Sequence, residues 1–128
     1  MINKNQIYEF DPQIYPRKVW VAVGVPTKVL NDMFEESIED MDETYDAIVI
    51  STRRINPDIK GGILIRFINK DALTISNITH ESTHAAMDIF DYVGAKVDTN
   101  NQEPFSYLCG WIANCCYQVK SGKFDIKK

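Results

Sequence analysis

His80-Glu81-Ser82-Thr83-His84 holds both histidines of a 128-residue chain. The spacing is H-E-x-x-H. On a helix, residues four apart share one face and lie about one turn from each other. Two imidazoles so placed can converge on one zinc ion, while the intervening glutamate reaches a metal-bound water as general base. The pattern therefore asks for a helix here and points to a metalloenzyme.

The flanking residues supply that helix. Asp71 can cap a segment running to about Val93, with Gly94 as its stop. Projected at about 100° per residue, Ile75, Ile78, Ala85, Ala86, Ile89, Phe90 and Val93 form one apolar sector. Ser82 and Thr79 share that sector and are small enough to pack closely on a sheet. His80 and His84 project to the other side with Asn77, Glu81, Asp88 and Asp91, which disfavours their being core histidines.

Working outward, Val19-Trp20-Val21-Ala22-Val23 is an apolar, β-branched run that reads as a buried strand. Pro26-Thr27 opens a helix, with Thr27 as N-cap, through Leu30, Met33, Phe34 and Ile38. Tyr45 to Ser51 reads as a second strand and Ile63 to Ile68 as a third, separated by turn signals at Asn56-Pro57-Asp58 and Gly61-Gly62. Asn101 can cap a last helix from about Gln102 to Val119, with Pro104 in its first turn. Residues 1–16 read as an irregular arm. The order is β-α-β-β-α-α: an α+β fold in one domain over 1–128, a short β-sheet packed on the long motif helix and a C-terminal helix.

Composition agrees with a globular chain: 45% hydrophobic and 25% charged residues. A net charge of -4 gives no footprint for nucleic acid. Lys120, Lys123, Lys127 and Lys128 read as a solvated tail, and Arg53, Arg54 and Arg66 as solvated surface. No run reaches the length of a membrane span, and no signal-peptide pattern opens the chain. Cys109, Cys115 and Cys116, an odd and clustered set, read as reduced core thiols, so cytoplasmic residence is expected.

A catalytic zinc needs a third protein ligand and an open position for water. Asp88 has the right face but lies about 12 Å along the helix axis from His80, too far to share a metal on a straight helix; it suits an outer partner of His84. Glu103, early in the next helix, is the better candidate, with Asp98 in the intervening loop as the other. Glu103, Tyr107, Gly110 and Asn114 lie opposite that helix's stripe of Phe105, Leu108, Cys109, Ile112, Cys116 and Val119. This polar side is expected to face the motif helix, with Gly110 allowing close approach.

His80-Glu81-x-x-His84 followed by Glu103 resembles the zinc site of gluzincins, the zincin metallopeptidases with two histidines and one glutamate as ligands. The resemblance implies a small zincin-like fold, zinc bound by His80, His84 and Glu103, and Glu81 activating water. It implies a peptide or protein substrate aligned by strand addition, for which Ile63–Ile68 holds the corresponding place in the chain; the same run reads equally as a plain internal strand. Tyr107, one turn after Glu103, is then a candidate donor to the oxyanion. The function expected is a zinc-dependent metallopeptidase. The alternative is a non-catalytic zincin-like module that binds metal or serves in protein interaction and regulation.

Overall fold

The computed structural model describes residues 6–35, 38–41 and 45–123. It is a small α+β fold: a four-stranded mixed sheet and three helices. The strands are β1 (Ile7–Phe10), β2 (Lys18–Val23), β3 (Ala47–Arg54) and β4 (Lys60–Phe67). The helices are α1 (Thr27–Met33), α2 (Ile75–Val93) and α3 (Glu103–Ser121). The sheet order is β1-β2-β4-β3, with β2 and β4 parallel and the outer pairs antiparallel.

The apolar runs of β2 and β4 follow from their central position, since both faces of these strands are covered. Val19, Val21, Val23, Ile63, Ile65 and Phe67 face α2 and α3, against Ile78, Ala85, Ala86, Ile89, Leu108 and Ile112. Trp20, Ala22 and Leu64 face the other way, against Val25, Leu30, Phe34 and Ile38. β2 and β4 approach so closely at Gly62 that a Cβ there would stand 2.2 Å from the Lys18 carbonyl and 2.7 Å from the Trp20 ring. Only glycine fits.

Several sequence expectations need correction. The arm before residue 17 is not wholly irregular: β1 pairs with β2, Ile7 opposite Ala22 and Phe10 opposite Val19. Four residues carry too little alternation to announce a strand. The first helix stops at Met33, because Phe34 turns extended and bridges to Arg54, with the Glu35 N–H donating to the Arg53 carbonyl at 2.8 Å. Tertiary pairing overrides helical periodicity there.

Thr27 makes no cap. Its hydroxyl accepts from the Arg66 guanidinium at 2.8 Å. Arg66 is buried, not solvated, and also donates to the carbonyls of Glu39 and Val25. Arg54 is likewise drawn in, held by Glu9 and Asp58. Asp71 lies in a 3-10 turn (Lys70–Ala72), and Thr74 caps α2 by accepting from the Asn77 N–H at 3.1 Å. Gly94 ends α2 in the left-handed conformation, φ 77°. Gln102, not Asn101, stands at the head of α3, without a side-chain cap bond.

Ile75, the first residue of α2, is 83% exposed rather than part of the apolar face. The three cysteines are free, with Cys115 and Cys116 buried. Lys127 and Lys128 lie outside the described residues. Among the described residues, no helix is long and apolar enough to cross a membrane.

Candidate functional site

α2 carries the site because its two faces differ. Ser82, Ala85 and Ala86 are small and buried, which lets the helix lie close on the sheet. The turns between them leave His80 and His84 at the surface. The rings meet edge to face, centroids 4.7 Å apart, and the two Nε2 atoms stand 3.2 Å apart. Two ring lone pairs do not face each other at that distance unshared. Either one nitrogen donates a proton to the other, or a cation sits between them. For an ion held tetrahedrally at bonds of about 2.0–2.1 Å, the nitrogens stand about 3.3–3.4 Å apart. The pair fits a divalent metal as two of its ligands.

Glu81 lies between the imidazoles in sequence but turns inward and is only 8% exposed. Burial raises its pKa above the ordinary carboxylate value, and His80 and His84 oppose the rise. Sequence projection put Glu81 on the exposed side. β3 makes the difference, because this strand runs alongside α2 and roofs the glutamate. The resulting cleft, about 330 Å³, is lined by Tyr45, Ala47, Ile48 and Val49 opposite His80, Glu81, His84 and Asp88. Asp88 is half-buried there. Burial pushes its pKa up and the nearby His84 pulls it down. On its outer side the imidazole pair borders a second groove of about 550 Å³, with Ser76, Thr79, Thr83 and Met87.

The remaining candidates lie elsewhere. Glu103 is exposed at the start of α3, outside both clefts. Asp98 is exposed in the α2–α3 loop, where its carboxylate accepts from the Asn100 N–H at 2.9 Å. Tyr107 is 74% exposed and lines an apolar groove of about 760 Å³ with Pro12, Ile14, Tyr15 and Trp111. The polar side of α3 thus faces away from the motif helix, because the opposite stripe of Leu108, Ile112 and Cys116 packs into the core with α2. A Cβ on Gly110 would meet nothing within 4 Å, so this glycine mediates no close approach. Of the two readings of Ile63–Ile68, the internal strand is the one found, since Ile63 to Phe67 lie in the internal β4; the free edge beside the site is β3. Sequence reasoning missed β3's part in the site, and the signal available was its uncharged run Ala47–Thr52.

No family model, curated protein or solved structure matches this chain. Among the described residues, no group of three or more His, Cys, Asp and Glu side chains is gathered to hold a metal. The resemblance to gluzincins therefore does not hold. Four matching residues carried it, and the fourth, Glu103, is not brought to the other three.

Proposed function

We propose that the His80–Glu81–His84 face of α2 is a divalent-metal hydrolytic centre acting on peptide bonds, with zinc the best-suited ion. The 3.2 Å separation of the two Nε2 atoms carries the reading. His80 and His84 would hold the ion as neutral imidazoles. A bound zinc supplies a water acidified towards neutral pH and polarises the carbonyl under attack.

The chain's own residues do the rest. Glu81, next to the imidazoles and shielded by β3, takes a proton from the attacking water and returns it to the leaving amine. Burial raises its pKa, which makes it a stronger base than an exposed carboxylate. The outer groove along Thr79, Thr83 and Met87 offers the substrate a path to the imidazoles. The free thiols support a reducing compartment, such as the cytoplasm.

Metal content of protein purified without chelator or His tag tests the reading, beside a His84→Ala control. Near one zinc per chain, lost in the control, supports it; failure to take up added zinc sinks it. A second reading, a non-catalytic interaction module, is favoured by the apolar groove around Tyr107 and Trp111. Glu81→Gln separates the two, since a module loses little function by it.

A further inference from the structure

β3 is an edge strand whose outer groups alternate with a definite phase. The Asp46 carbonyl accepts from the Ile68 N–H on the β4 side at 2.8 Å; the Arg53 carbonyl accepts from the Glu35 N–H on the far side at 2.8 Å. Inward and outward groups alternate along an antiparallel ladder, so Ala47, Val49 and Ser51 point both N–H and C=O away from β4. Among the described residues no backbone group meets them. The run Ala47–Thr52 carries no charge, proline or glycine, the devices that keep an edge from pairing.

The edge is also self-complementary. In antiparallel register centred on Val49, Ala47 of one copy meets Ser51 of the other, and Val49 meets Val49. All three open residues are used, and Arg53, already covered, is not needed. Asp46 precedes the run and Arg53-Arg54 closes it; both arginines already hold carboxylates of their own copy, Arg53 that of Glu35 at 2.8 Å and Arg54 those of Glu9 and Asp58, so in this register Asp46 meets no like charge and the ends do not repel.

The imidazole pair lies beside this same edge. Arg17 bonds Ser51 Oγ and stacks on Tyr92, which sets the end of α2 level with Ser51, while the histidines lie nearer Ala47 and Val49. Asp88 falls between, one turn beyond His84. Its own helix axis keeps it from His80's metal, but a two-fold at Val49 carries it across to the other copy's histidines.

We infer that a second copy of this chain pairs along β3 about Val49, and that each copy's Asp88 completes the other's His80–His84 metal site. The metal half rests on the hydrolytic reading above; the strand pairing does not. Substrate then enters by the outer groove of Thr79, Thr83 and Met87.

The test is sedimentation velocity and amide hydrogen exchange on the full chain at micromolar concentration, with zinc titrated by calorimetry. The expected result is a dimer with slow-exchanging Ala47, Val49 and Ser51 amides. Ile48→Lys, at a 40% exposed position on the edge, should give a folded monomer with fast amides and zinc affinity reduced about tenfold or more. Asp88→Asn should remain dimeric with a similar loss of affinity. A monomeric wild type overturns the inference, and if it binds zinc the hydrolytic reading survives. A monomer whose edge amides slow only with an added extended peptide assigns the edge to substrate and overturns it too. A dimer that takes up no zinc overturns the metal half and the hydrolytic reading together. Unchanged zinc affinity in Asp88→Asn overturns the role of Asp88.

Discussion

The guanidinium of Arg17 lies 4.3 Å over the ring of Tyr92, while its Nη2 bonds both Ser51 Oγ and the Gly62 carbonyl at 3.0 Å. One side chain thus ties the segment before β2 to β3, β4 and the end of α2. Its Nε is buried without a partner, a small cost carried by these contacts. Arg17→Ala should lower stability by about 2 kcal/mol, read from urea denaturation. Arg17→Lys should recover little, because an ammonium cannot both stack and fork.

Gly62→Ala should be more damaging. The added Cβ falls on backbone of β2, which cannot swing away as a side chain would. A loss of about 3 kcal/mol is expected, visible as a shifted denaturation midpoint with an unchanged slope.

Glu9 makes stability pH-dependent. Burial pushes its pKa up, but the Trp20 N–H bond and the charges of Arg54 and Lys60 outweigh that and leave it below 4.5. A carboxylate lowered in the folded state binds fewer protons there than in the unfolded chain, so its stabilisation is present above pH 4.5 and is lost as pH falls through the folded value. Glu9→Gln should therefore cost stability at pH 7 and show a smaller loss between pH 5 and 3. Melting temperatures across that range check the sign.

On the proposed hydrolytic reading, Glu81→Gln should lower kcat for peptide hydrolysis by about 10²–10⁴ while metal content stays near that of the wild type. The same reading has His84→Ala lose the metal. Equal activity in wild type and Glu81→Gln would remove the glutamate from the chemistry.

Thiol labelling should divide the cysteines. Burial pushes the Cys116 thiol up to about 12, and Cys115 higher still. Both should resist a disulfide reagent until the protein unfolds. Half-buried Cys109, raised less, should react first and slowly, as a count of released thiolate against time would record.

The helices around the motif were legible because their periodicity and the αL glycine leave strong marks. Thr74 and Asp71 are both good caps, and only the 3-10 turn closed by Asn69 decides between them. The edge position of β3 was not legible, since strand order depends on which runs meet in space. That order also decides the burial of Glu81, so projecting α2 alone misplaced it. Glu103 misled for a related reason: a helical wheel says which residues share a side, and not which neighbour that side faces.

The central parallel pair sets the timing of assembly. Lys18 must find Gly62, and Val23 must find Phe67, so β2 has no inner neighbour until the chain has been made past β4. During synthesis its apolar run waits with only β1 beside it. Such distant closure slows folding and leaves that strand open to stray association. Refolding should therefore be slow for a chain this short, and yield should fall as concentration rises.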